Sequence, residues 1–221
     1  MAMEIEQMKI LLENWREYLA EEEDKKIIAL VPGKFKPPHA GHLEMVKHYA
    51  NIADEVMVLI SPKALDLGSG RVINDTHSSK IWDVYLRDAG LSNVTVITSP
   101  SNSPVRAAFE YVENKKDNPL YAQSGDQIIM GASTKGGDQK RFAGDLQKYA
   151  KQGVKILNPM QYAFEPFPPA LSATDFRNAL SRKEDITSWL PTTSQGEESV
   201  EEITNILDAN SGEEAYEEAL S

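Results

Sequence analysis

The chain contains no cysteine, which excludes disulfides and thiolate metal centres and fits a reducing compartment. No apolar run reaches the length needed to span a bilayer. Basic residues are scarce, with 23 Lys and Arg against 34 Asp and Glu, and histidines number only 4. The first 23 residues are acidic and lack the basic-then-apolar order of a secretory signal. A soluble, cytoplasmic protein with no membrane partner is therefore expected.

The shortage of basic charge is local. From Lys183 to Ser221 eleven acids face one base, a net of −10, which leaves −1 of the total −11 for everything before Lys183. A nearly neutral body offers no basic stripe, so nucleic acid is not an expected partner. It leaves room for a basic pocket around a small anion. At 221 residues the chain can hold one sizeable α/β domain with appendages.

Three regions follow from the pattern. Residues 1–25 read as an acidic amphipathic helix, with Ile10, Leu11, Asn14, Trp15, Tyr18 and Leu19 to one side and Glu13, Arg16, Glu17, Glu21 and Glu22 in water. Such a helix serves as a packing appendage or a contact between copies, so a homo-oligomer is one expectation. Residues 26–190 form the main domain. Residues 191–221, rich in Ser, Thr, Gly and Glu, read as an acidic, flexible tail with one weak helix around Val200, Ile203, Ile206 and Leu207.

Within the main domain, strands alternate with helices. Strands are predicted at 27–31, 56–60, 94–98, 120–123 and 154–157. Helices are predicted after His42, from Ser78 or Ser79 to near Gly90, from Pro104 to Val112, and at 142–151. The expected fold class is α/β, a Rossmann-like doubly wound parallel sheet of about five strands with helices on both faces. Ligands on such sheets bind beyond the carboxyl ends of the strands.

One of those ends carries Gly33-Lys34-Phe35-Lys36-Pro37-Pro38-His39-Ala40-Gly41-His42. A strand that turns sharply into a helix aims free N–H groups at the turn, and that end attracts phosphate. Gly41 permits close backbone approach to a ligand, and His39 and His42 can donate to an anionic oxygen. Zinc is the chemical competitor for two histidines, but histidine donors to a phosphate fit the segment better.

A second constellation, Leu171-Ser172-Ala173-Thr174-Asp175-Phe176-Arg177, follows a proline-rich loop and opens a helix. Taken alone, Ser172 or Thr174 is an N-cap. Arg177, three residues past Thr174, lies on the same side of the helix. Two hydroxyls, free N–H groups and a guanidinium also make a phosphate receptor.

The first segment matches the full G-x-F-x-P-x-H-x-G-H motif of the nucleotidylyltransferase superfamily, and the second resembles its I-S-S/T-T-x-x-R motif in the adenylyltransferase branch. The resemblance spans about 155 residues, from Lys26 to Leu180, with Leu171 and Ala173 departing from the second motif. It implies transfer of AMP from ATP to a phosphate-bearing acceptor with release of pyrophosphate. By the resemblance, His39, His42 and Arg177 are catalytic. Gly33, Lys34, Phe35, Gly41, Ser172, Thr174 and Arg177 hold the nucleotide and its phosphates. Mg²⁺ is carried mainly by the substrate phosphates, with no protein ligand assigned. The Lys-Pro-Pro-His loop and the Ser-Ala-Thr-x-x-Arg segment look closest to nicotinamide-mononucleotide adenylyltransferases.

Further acceptor-binding candidates are Lys36 in the first loop, Lys63 and Arg71 flanking a lid-like 64–70 segment, and Asp126, expected just after a strand. A cytidylyltransferase using CTP shares the histidine loop, but its usual Arg-Thr-x-Gly-Ile-Ser-Thr string is absent. A class I aminoacyl-tRNA synthetase fragment lacks its Ser-Lys loop here. A nucleotide-binding sensor or scaffold without catalysis is the alternative of another class.

Overall fold

The computed structural model describes residues 25–68, 71–142, 144, 146–166 and 171–209. The predicted helix within 1–25 lies outside them, apart from Lys25.

Ile27–Gly33 (β1) is apolar on both sides and takes the centre of the sheet, with Ala29, Leu30 and Val31 fully buried. Ala40–Ala50 (α1) returns the chain to Glu55–Ile60 (β2). A small antiparallel pair, Leu65–Asp66 (β3) and Val72–Ile73 (β4), precedes Asp75–Ala89 (α2). Val94–Thr98 (β5), Pro104–Glu113 (α3), Gln127–Met130 (β6), Lys155–Ile156 (β7), Ala173–Arg182 (α4) and Glu197–Asp208 (α5) follow. The main sheet has the order β5-β2-β1-β6-β7 and is parallel throughout.

That order positions the site. The chain leaves β1 towards β2 and β5, then crosses back to β6 on the other side of β1. The connections after β1 and β6 therefore diverge, and a crevice opens at the carboxyl ends of these neighbouring strands. On one face Val31, Val58 and Ile129 join Leu43, Val46 and Trp82 in one core. On the other, Ile28, Leu59 and Met130 pack with Ala107, Ala108 and Val112 of α3. Two hydroxyl groups tie α2 to the C-terminal part of the chain, Ser194 and Ser199 both donating to Asp88 (2.6 and 2.8 Å).

Several sequence expectations are corrected. The fourth strand is Gln127–Met130, not 120–123: residues 114–126 turn repeatedly, with positive φ at Asn114, Asp117 and Gly125. The Asn114 amide holds this turn by donating to the Asn118 and Ala122 carbonyls. The helix expected at 142–151 is replaced by two 3₁₀ segments, Lys135–Phe142 and Leu146–Tyr149. The tail expected from 191 is not a tail as far as Asp208, because α5 buries Ile203 and Leu207 in the main core. The cap of α2 is Asn74 rather than Ser78 or Ser79, and its side chain accepts from the His77 N–H at 2.9 Å.

Candidate active site

Gly33 ends β1, and the reason lies two residues later. Phe35 adopts positive φ and folds its ring back, so that a Cβ on Gly33 would meet the ring at 2.5 Å. The buried ring then stands edge-on to His42, at 4.9 Å between centroids, and to Trp82, at 5.5 Å. Phe35 thus braces the His42 ring, against which His39 stacks.

His39 is the N-cap of α1 and His42 its third residue. The two rings stack at 3.7 Å with 22° between their planes. The His39 backbone N–H donates to His42 Nδ1 at 3.1 Å, so the proton of a neutral His42 sits on Nε2. Burial lowers both pKa values, helped by the positive charges of Lys135 and Arg177: His39 falls to about 4 and His42 well below its ordinary value. Both imidazoles are therefore neutral near pH 7. Buried His39 Nδ1 has no hydrogen-bond partner. A buried polar nitrogen left unpaired is costly, and such atoms mark places where a ligand completes the structure.

These rings line a cavity of about 400 Å³ at the carboxyl ends of β1 and β6. Five cationic side chains line it, Lys34, Lys36, Lys135, Arg141 and Arg177, with Asp138 as the acid. Asp138 is already paired to Arg141 at 2.8 Å. In a chain of net charge −11, this concentration of cations describes a receptor for a polyanion. Met45, Phe164 and Pro166 supply apolar wall.

Lys36 is almost fully buried, and its Nζ has no hydrogen-bond partner. Burial pushes its pKa down to about 8 against the opposing pull of Asp75. Gly41 accommodates the same packing, since a Cβ there would press on the His39 ring at 3.2 Å.

The second segment contributes differently from expectation. Ser172 caps α4, its Oγ accepting from the Asp175 N–H at 3.3 Å. Thr174 Oγ1 accepts from Arg177 Nη2 at 3.1 Å and so orients the guanidinium. Arg177, Leu171 and Ala173 line the cavity, whereas Ser172 and Thr174 do not.

The remaining acceptor candidates are not brought to the cavity. Asp126 precedes β6, so it lies at the amino end of the sheet beside Lys26. Arg71 is drawn away to the C-terminal helices, donating to the Leu180 carbonyl at 2.9 Å and pairing with Asp208. Lys63 is exposed and does not line the cavity.

Sequence reasoning gives Lys135 no role, reading 131–137 as a flexible glycine-rich loop, and misses Arg141. Lys135 Nζ donates to the Leu171 carbonyl at 2.6 Å, bridging the segment after β6 to the loop before α4. The Tyr49 hydroxyl pins the start of that segment, donating to the Ala132 carbonyl at 2.8 Å and accepting from its N–H at 2.9 Å. Placing the fourth strand at 127–130 would have identified 131–141 as a ligand-side loop.

No family model matches the chain. It is 56% identical over 32 residues to the phosphopantetheine adenylyltransferase of Aquifex aeolicus, a stretch covering 14% of this chain and 20% of that relative. The solved structure of Thermotoga maritima TmcAL bound with alpha-thio ATP aligns with a TM-score of 0.46 and 12% identity, over 81% of this chain and 55% of that one.

Proposed function

We propose that this protein is an adenylyltransferase, moving AMP from ATP to a phosphomonoester acceptor, with nicotinamide mononucleotide as the first candidate and pyrophosphate as the second product. The observation that carries the reading is the stacked, neutral His39–His42 pair, with an unpartnered buried nitrogen, in a cavity lined by five cations. The choice of ATP over CTP draws on the segment shared with an adenylyltransferase. The choice of nicotinamide mononucleotide draws on the forms of the two motifs.

An acceptor phosphate is already an oxyanion nucleophile, so the reaction requires no covalent enzyme intermediate. One of its oxygens forms a bond to the α-phosphorus, and the bond to the bridging oxygen breaks. Pyrophosphate departs with that electron pair. What the protein must supply is positioning and stabilisation of developing negative charge.

His42 Nε2–H donates to the α-phosphate, and His39 adds a second donor. Arg177, oriented by Thr174, holds the β- and γ-phosphates with Lys34. Lys36 receives the acceptor phosphate, offsetting the repulsion between two anions that must meet. Among the described residues no group of three His, Cys, Asp or Glu is placed to hold a metal ion, and Asp138 is engaged by Arg141. Magnesium enters on the triphosphate, whose charge it neutralises, as an ion held mainly by substrate oxygens and water.

The test is pyrophosphate release in the presence of magnesium, crossing ATP and CTP against nicotinamide mononucleotide and pantetheine phosphate. Release with ATP and nicotinamide mononucleotide is expected. Release only with pantetheine phosphate reassigns the acceptor, and release only with CTP reassigns the nucleotide. ATP binding without release from any pair overturns the enzymatic reading in favour of a nucleotide sensor.

A further inference from the structure

The histidine cavity is assembled from opposite ends of the domain. His39 and His42 belong to α1, which follows directly on β1, whereas Arg177 belongs to α4. Phe176, Ala179 and Leu180 bury one side of α4, and the Phe176 ring meets His39 edge-on at 6.5 Å between centroids. Apolar contact is non-directional. It settles which side of the helix faces inward, and fixes less firmly where the helix lies along its own axis.

Hydrogen bonds at both ends of α4 supply that register. At its foot the Leu180 carbonyl accepts from Arg71 at 2.9 Å, and the Ser181 hydroxyl donates to the Leu67 carbonyl at 2.8 Å. At its head the Leu171 carbonyl, beside the Ser172 cap, accepts from Lys135 Nζ at 2.6 Å. Leu171 lies over Gly41 of α1, where an added Cβ would come within 3.8 Å of its own. A shift at this head is therefore a shift against the histidine helix.

Lys135 stands on a fixed base. The Thr134 N–H donates to the Phe164 carbonyl at 2.8 Å, the Phe164 N–H to the Ala132 carbonyl at 2.9 Å, and the Lys135 N–H to Ser133 Oγ at 3.0 Å. Ala132 is in turn held by Tyr49 of α1. A line of hydrogen bonds thus runs from the histidine helix, through the segment after β6, to the head of the arginine helix. Lys135 is its last member. An exposed lysine ordinarily keeps a mobile ammonium in water, and holding it costs side-chain entropy. The Leu171 carbonyl takes one of its three N–H donors and cancels none of its charge. Both histidines register that charge, which with Arg177 adds to the lowering of their pKa values by burial.

We propose that Lys135 is a positioning residue: it struts the head of α4 against the segment after β6, and so holds Arg177 where it and the stacked histidines address one triphosphate. The assignment rests on the reading of the cavity as an ATP site.

A double-mutant cycle with Arg177, read as ATP affinity by calorimetry, tests this. Lys135→Met should weaken ATP binding by about tenfold in the unaltered background and by no more than about threefold in Arg177→Ala. A strut has little left to position once the guanidinium is gone. Lys135 is exposed, so its substitution leaves folding intact. A tenfold loss in both backgrounds makes Lys135 an independent phosphate ligand or a general prop of the fold, and overturns the proposal. No loss in either background overturns it as well. Unaltered protein that binds no ATP overturns both this assignment and the reading beneath it. ATP binding without pyrophosphate release removes the transfer reaction alone and leaves the cycle in force.

Discussion

The hydrogen bond from the His39 N–H to His42 Nδ1 decides which nitrogen of His42 carries a proton, and with it what that residue can do. An imidazole that titrates well below neutrality acts as a fixed donor rather than as an acid–base pair. Its contribution belongs to the transition state, where charge on the α-phosphate is greatest. His42→Ala should therefore lower kcat by about 10²–10³ with little change in ATP affinity, measured by steady-state kinetics and calorimetry. An effect confined to affinity removes His42 from the chemistry. Lys36 behaves differently because its ammonium titrates near 8. The amine loses its proton as pH rises through that value, so KM for the acceptor should climb above pH 8. Lys36→Met should raise that KM by about 10–100-fold at neutral pH and abolish the alkaline rise, since a charge-assisted contact is worth about 1.5–3 kcal/mol.

At the scale of elements, α4 shows where a motif and a fold make competing claims on one side chain. The Ser172 hydroxyl satisfies an orphan N–H of the helix, and Thr174 steadies Arg177. Ser172→Ala should thus cost about 1 kcal/mol of stability in urea unfolding and leave ATP affinity unaltered. A loss of affinity without loss of stability would restore Ser172 as a phosphate ligand. The histidine loop is legible in the sequence because Gly33, Gly41 and both histidines act within one turn between a buried strand and its helix. The central strand is legible because Ile27 to Val31 are apolar without alternation. The fourth strand is not, since Leu120-Tyr121-Ala122 carries the same short apolar signal as Ile128-Ile129-Met130. What separates them is Asn114, whose amide folds the earlier run into a turn. That misplacement sends Asp126 to the wrong end of the sheet and hides Lys135 and Arg141.

For the whole molecule, charge and burial are distributed so that five cations collect at one crevice, where Asp138 is the single acid and is paired to Arg141. α5 illustrates the outer distribution: Ile203 and Leu207 face the core, while Glu202 meets Arg87 at 3.0 Å. Composition alone makes this segment a solvated tail, because four glutamates outweigh an apolar stripe that only tertiary packing reveals. The crevice has a consequence for the stability of the entire fold. His39 titrates at about 4 when folded, against an ordinary 6.5 in the unfolded chain. Between those values the unfolded chain binds more protons, so stability rises with pH across the window and is lost as pH falls. From pH 7 to pH 5 this one buried ring should cost about 2 kcal/mol, taking about 1.4 kcal/mol per pKa unit. His42 acts in the same direction. Urea unfolding at the two pH values should show His39→Asn losing about 2 kcal/mol less than the unaltered chain over that interval. Equal losses in the two proteins would mean that the His39 ring takes up its proton within the folded state, and the neutral stacked pair would have to be abandoned.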